Sequence, residues 1–498
     1  MKKIIALALA LMFVLGAASF ASAEEYKQEV VIGLRQQFTT LDPQALANTA
    51  QNQILKFFHS TLVDLNTVTG EIVPDLAESW TWVDDKTIEF KLFDNATFHN
   101  GESVTANDVA FTVERGRDAV ATKARYANVE SVEVVDAKTV RIHLVKPNVD
   151  TLDTLALPCC SILSEKAVTE DAENGYRIGA GPWVVREFVD NDYLAFDRFD
   201  AYHFGPTKMP KMKIRYIPED SARGIALQTG EIDLCEHILP IDLPLFEDDK
   251  NVQVIVYDSP ACQYFAFNYQ KEGVPTADAK VRHAINTALN REEIIMATKD
   301  GFGTPGKTYW GMNQYGYYDG FEGDEYNVEK AKQMLAEAGY PDGFDFDLMV
   351  ISGERVISAE VIQAQLKKIG INVTIHEVDS AGLSAAVSAG DYTACLWGIG
   401  FNSCGDEVRR VYHSNGSNNR SHYSNPKVDE LIDAAVVESD DATRKDLYKQ
   451  IQEIAYQDLP IINLYYENEI YGAVKGLDGI EWGCSTANDM SFAYVVVG

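Results

Sequence analysis

Past its first two dozen residues the chain has no apolar run long enough to cross a bilayer as a helix, and a soluble protein is expected. Basic residues are scarce, 43 Lys and Arg against 75 Asp and Glu. That shortage argues against nucleic acid or anionic lipid headgroups as partners. The acidic excess names no cationic ligand, because acidic surfaces commonly serve solubility. Seven cysteines, at 159, 160, 235, 262, 395, 404 and 484, show neither a CxxC pair nor paired metal-ligand spacing. Their odd number leaves at least one unpaired within a monomer, and the vicinal pair Cys159-Cys160 is expected to pack rather than bridge. His99 stands beside a turn with no second histidine at ligand spacing, so no metal role is assigned. GxSxG, HExxH, Walker A and SxxK with its companion motifs are all missing, which leaves an exported hydrolase as the weaker reading beside a binding protein. Gly301 to Gly306 spells GxGxxG, but it follows a helix and contains Pro305, so it is no dinucleotide site and no cofactor is expected.

What the first residues do contain is Lys2 and Lys3, an apolar run from Ile4 to Gly16, and the small-residue end Ala21-Ser22-Ala23. This reads as a secretory signal peptide, residues 1–23, cleaved after Ala23. No cysteine stands at the cleavage point to take a lipid, so a free periplasmic protein is expected. Removing 23 of the 498 residues leaves 475, with 41 basic residues and a formal charge of −34, enough chain for about two to four domains.

Periodicity places the elements. Ile88, Phe90 and Leu92 alternate as a strand, and Thr105 with Asp108 forms a capping box that starts a helix near Ala106. Strands are expected over Val129–Val135, Thr139–Leu144 and Tyr264–Tyr269, the last bounded by Pro260. Val281, Ala284, Ile285, Ala288 and Leu289 share one helical stripe behind the N-cap Asp278. A helix opens near Val328 behind Asn327, and another behind Ser358, with the strand Ile371–Ile375 directly after it. Helix-then-strand order argues an α/β lobe with a largely parallel sheet.

Several stretches resemble extracellular solute-binding proteins of the dipeptide, oligopeptide and nickel class. They are Thr40-Leu41-Asp42-Pro43, FKLFDNATFHNGESVTANDVAFTVER from Phe90, Gly179 to Trp183, LQTGEIDL from Leu227, and the crossover text Phe267-Asn268, Val281-Arg282 and Asn290-Arg291-Glu292. The order of these motifs matches the class over essentially the whole mature chain. The resemblance implies an α/β, type II periplasmic-binding-protein fold with hinge strands and an extra α/β satellite domain. Lobe I would comprise 24–56, 176–266 and 481–498, the satellite 57–175, and lobe III 267–480. It also implies a monomeric receptor, not an enzyme, that closes two lobes over a small solute, a peptide or alternatively a nickel complex, and presents it to the membrane permease subunits of an ABC transporter. The satellite would lie away from the ligand chemistry.

The same resemblance points to site residues. Asp406, on the loop after the strand Tyr392–Trp397, would accept a peptide ammonium, because an ammonium taken out of water needs a charged partner. Trp397 would supply an apolar wall, Arg409 a second charge, and Arg355, in a loop beside Gly353, a fork for a carboxylate. Asn48 and Thr49 after the Leu-Asp-Pro turn, Tyr264 on the crossover strand and Tyr465 are further candidates. A disulfide between Cys262 and Cys404 is implied by the oligopeptide-binding members, with a register offset of two.

Overall fold

The computed structural model describes residues 27–45, 49–66, 68–311, 314–318, 320–321, 324–400, 404–485, 488–491 and 495–497; for 49–50, 404, 406, 482–485 and 488–491 it describes the backbone alone. Residues 1–26, with the expected signal peptide, and Asn48 lie outside that set.

An 11-stranded mixed sheet runs through the molecule. At one end Asn372–Val378, Asp345–Ile351 and Ala394–Ile399 run parallel. At the other, Glu29–Leu34 pairs in parallel with Lys211–Tyr216 and with Leu234–Cys235, and Tyr193–Arg198 and Trp183–Val189 extend the edge antiparallel. Two long antiparallel strands join the ends, Val252–Phe267 and Ile461–Val474. Both are far longer than an ordinary strand of five or six residues. The expected strand Tyr264–Tyr269 is thus only the last part of a 16-residue strand. Pro260 does not end it, because the ladder is broken by a register shift between Asp258 and Cys262, and a bulge tolerates a residue without an N–H.

Apolar cores sit on both faces of each end of the sheet. Val30, Ile32, Phe58, Ile214 and Tyr471 belong to one on the first lobe, and Leu227, Ile232 and Ile470 to a smaller one. In the far lobe, helices Ala279–Ala288, Val328–Glu337 and Glu354–Lys367 cover one core, and Pro426–Val437 and Asp441–Asp458 another. The stripe Val281, Ala284, Ile285 and Ala288 is fully buried, and Asp278 accepts from the Lys280 N–H at 2.9 Å as its cap. Burying Val281 or Ile285 contributes about 1.5–3 kcal/mol each. Tyr471, Ala473 and Leu477 pack into the first-lobe core, so the chain has returned there before 481.

A separate four-stranded sheet, built from Ala77–Asp84, Thr87–Leu92, Thr139–Leu144 and Val129–Val134, carries the satellite core with helix Ala106–Asp118. Asp108 accepts from the Thr105 N–H at 2.9 Å, as the capping pattern predicts. Cys159 and Cys160 are buried free thiols in this core. The satellite also touches the far lobe: the Val149 N–H donates to the Val436 carbonyl at 2.8 Å, and Arg444 pairs with Asp150.

Candidate functional site

The sheet narrows between its two ends. On the first-lobe side regular pairing stops where Cys235 meets Gly472, which faces Val254; on the far side it stops where Ile399 meets Cys262. Eight residue steps separate Val254 from Cys262, roughly 25 Å of extended chain less what the bulge takes up. Across that stretch the lobes are joined mainly by the two crossover strands. The carboxyl ends of the parallel strands of both lobes point toward it, the place where open α/β sheets bind ligands.

Charged and amide side chains collect there. Arg35, one residue past its strand, donates its backbone N–H to Glu236 Oε2 at 2.6 Å. Burial raises the Glu236 carboxyl above its ordinary value, against the opposing pull of Arg35 and Arg223. His237 adopts a left-handed backbone, φ 55°, and sets its Nδ1 3.3 Å from Glu469 Oε2. Burial works against ionisation of Glu469, yet the His237 hydrogen bond and the charges of Arg35, His237 and Lys299 outweigh it and hold the carboxyl below its ordinary range. Cations from both lobes thus act on one crossover carboxylate. On the far-lobe side Gln263 accepts from Arg355 Nε at 2.9 Å and donates to Glu467 Oε1 at 2.7 Å. Asp258 accepts from Thr304 Oγ1 and Asn468 Nδ2, both at 2.6 Å.

The residues expected to form the site are only partly brought together. Trp397 and Tyr264 are cross-strand partners, as are Gly398 and Gln263, and Gln263 and Tyr465. Trp397 is half-buried under the Arg420 guanidinium, 4.3 Å from its ring. Tyr264 and Tyr465 are 1% and 2% exposed and pack in cores, so neither presents a surface to a ligand in this arrangement. Arg355 is not in a loop: the helix starts at Glu354 behind Gly353, whose φ of 103° suits glycine, and Arg355 lies in its first turn. Ser358 is therefore no cap; it is buried and bonds Thr298 at 3.0 Å.

Asp406 is likewise helical, the third residue of Cys404–Tyr412, rather than on a loop. Its side chain, with those of Thr49 and Cys404, lies outside the described atoms, as does the whole of Asn48. Arg409 Nη1 reaches Asp433 at 2.9 Å, which answers its charge on the adjoining helix. Cys262 is a free thiol, 2% exposed among Tyr264, Tyr412 and Tyr466, so the expected bridge to Cys404 is not made. Gln263, Glu467, Glu469 and His237 were not singled out from the sequence. The signal for the strand residues was there: Glu467-Asn468-Glu469 puts the strand's only two charges, with an amide between them, into a 14-residue run whose one other amide is Asn463.

The family model for bacterial extracellular solute-binding proteins, family 5 (middle), matches residues 71–421. The chain belongs to this family. As a family 5 protein it has the type II periplasmic-binding-protein fold: a periplasmic murein tripeptide-binding protein in an unliganded open form superposes with a TM-score of 0.86 at 23% identity, over 95% of this chain and 97% of that one. Two family 5 relatives are Heme-binding protein A of Haemophilus influenzae, 29% identical over 84% of this chain and 83% of its own, and the glutathione-binding protein GsiB of Escherichia coli K12, 28% identical over 93% of each. Family membership makes this chain an extracellular or periplasmic solute-binding component of an ABC transporter.

Proposed function

We propose that the protein captures a small peptide at the crossover without turning it over and delivers it, as a monomer and without nucleic acid, to its ABC permease. The observation that carries this reading is the narrowing itself, where strand ends from two lobes face each other across a bulged two-stranded link. Such a link permits hinge closure, and a ligand touching both walls favours the closed form by its differential contacts. The cores support a division into bodies slightly shifted from the expected bounds: a first lobe from the N-terminal strand through Phe58, from 176 to Asp258 and after the second crossing, a satellite over 59–175, and a far lobe from Cys262 to the second crossing. A relative of nearly full length that binds glutathione, itself a tripeptide, supports a peptide ligand. Cleavage after Ala23 would release the mature form to the periplasm.

Asp406 is the proposed ammonium partner, with Arg355, whose Nε is already fixed by Gln263, as the carboxylate partner. An acid in the first helical turn is also favoured by the helix dipole, so Asp406→Asn carries a small stability cost that thermal unfolding must measure separately. A charge-assisted hydrogen bond contributes about 1.5–3 kcal/mol, so affinity for a free-amine tripeptide should fall about ten- to a hundred-fold in Asp406→Asn. An N-acetylated tripeptide should bind poorly to both proteins. Equal calorimetric affinity of the free-amine peptide for parent and variant would remove Asp406 from the site. Native mass spectrometry of the purified protein identifies any solute it carries, and a non-peptide mass would overturn the peptide reading.

A further inference from the structure

A groove of about 400 Å³ lies where the satellite meets the far lobe. That is within the size range of small-ligand pockets. Its satellite wall is apolar and aromatic: Trp80 and Trp82, two residues apart on one strand and therefore on one face, with Leu152 beside them. The opposite wall is polar and carries Glu438, Asp441 and Arg444. The guanidinium of Arg444 is answered by Asp150, and Asp441 by Lys445 at 2.9 Å, while Glu71 and Asp153 add two further carboxylates to the lining. Lys445 also reaches Glu71 at 3.6 Å, so five carboxylates, those of Glu71, Asp150, Asp153, Glu438 and Asp441, stand against the two cations Arg444 and Lys445, and the negative excess leaves the groove hostile to an anion. Gly405 also lines it, one residue before Asp406 in the same helical turn.

We propose that this groove is a side-chain subsite of the solute site and takes a flat apolar group that bears a positive charge, an arylalkyl ammonium or its equivalent on a peptide. The assignment of the groove to the solute site rests on the reading of Asp406 above; its ligand chemistry rests on its own walls. The indoles offer faces for stacking and for cation–π contact, and the carboxylates on the far side receive the charge. The satellite then forms a wall of the site instead of standing apart from it.

The test uses the full mature chain labelled with 5-fluorotryptophan and fluorine NMR, with the Trp80 and Trp82 resonances assigned by single Trp→Phe variants. Titration with phenethylammonium should shift both resonances saturably, and 3-phenylpropionate at the same concentrations should leave them in place. Trp82→Leu, followed at Trp80, should weaken phenethylammonium binding about two- to ten-fold, the worth of one aromatic contact. No saturable shift at either indole, or equal shifts from the acid and the amine, overturns the proposal; thermal unfolding of Trp82→Leu guards against reading misfolding as lost binding. A free-amine tripeptide, Ala-Ala-Ala, separates the two readings. If it binds while phenethylammonium leaves the indoles untouched, the groove proposal fails alone; if phenethylammonium shifts them and no tripeptide binds, the peptide reading fails and the groove's chemistry stands.

Discussion

Arg223 has none of its surface exposed, and it holds the first-lobe rim of the cleft. Its Nε donates to the Glu236 carbonyl at 2.6 Å, Nη1 to those of Ile217 and Pro218 at 2.7 and 3.3 Å, and Nη2 to that of His237 at 3.0 Å, with Asp220 as its ion partner. Arg223→Met keeps the aliphatic stem that packs on Gly33 and removes the fork. The bond to Glu236 is fully buried, so its carbonyl is left unsatisfied at a cost of about 1–3 kcal/mol. The other carbonyls lie in partly buried bonds that water can replace, at about 0.5 kcal/mol each, and Asp220 is exposed enough for solvent to screen it. Relief of the buried charge offsets part of the loss. The net expectation is about 2–4 kcal/mol for the first-lobe transition in urea unfolding followed by circular dichroism. Because Glu236 and His237 lose their anchor, the affinity for solute should fall as well. Arg223→Lys, with the charge but only a compact ammonium, should lie between. A loss under about 1 kcal/mol with parental solute affinity would refute the view that one guanidinium organises this rim.

The His283–Asp324 pair, 2.6 Å apart, should give a stability contribution with two pH limits. Burial lowers the imidazole's value, but the Asp324 hydrogen bond and charge outweigh it and raise it; burial raises the carboxyl's value, but the His283 bond outweighs it and lowers it. The imidazole's share is complete below about pH 6.5 and lost as pH rises through its raised value, and the carboxylate's is complete above about pH 4 and lost as pH falls through its depressed one. Asp324→Asn should therefore cost most, about 1–2 kcal/mol, between about pH 4 and 6.5; a cost independent of pH would contradict the pairing. Cys262 should resist iodoacetamide in the folded protein and react in urea, and non-reducing peptide mapping that finds it joined to Cys404 would overturn its assignment as a free thiol. Gly405→Ala would drive a Cβ into the Asp150 carboxylate, so the contact between satellite and far lobe must open. The expected loss is about 1–3 kcal/mol, and an unchanged melting temperature would count against that contact.

The elements that were legible from residues alone are those with strong local signals. Asp278 and Asn327 cap the helices their spacing predicts, Asn327 accepting from the Lys330 N–H at 2.9 Å. The strand Asn372–Val378 runs parallel to Asp345–Ile351, as helix-then-strand order requires. Ser358 misled because a serine before an apolar stripe has the chemistry of a cap, whereas the backbone break was supplied by Gly353. Pro260 misled because a proline ends most strands, and only the partner Ile461–Val474, some two hundred residues later, turns that break into a bulge. The same distance hid the site. Glu469 meets His237 from 232 residues away, and no local pattern announces such a meeting. Asp406 and Arg409 were placed by resemblance to a family, and a family text locates a segment better than it aims a side chain; Arg409 turns to Asp433.

The first lobe is sewn together from both ends of the sequence. The Lys27 N–H donates to the Val497 carbonyl at 2.9 Å, Lys27 Nζ pairs with Asp233 at 2.7 Å, and Val495, Val496 and Val497 share a core with Val30 and Ile32. A chain emerging from the ribosome therefore cannot complete this lobe until Val497 has been made. The satellite, whose sheet strands all fall between 77 and 144, needs no such wait. Contacts of such long sequence separation fold slowly, because loop closure must precede the interactions that reward it. Refolding by stopped flow should show a fast phase from the satellite and a slow one from the first lobe, and removing the residues after Asp478, which takes Val495, Val496 and Val497 from the first-lobe core and nothing from the far-lobe cores, should abolish the slow phase alone.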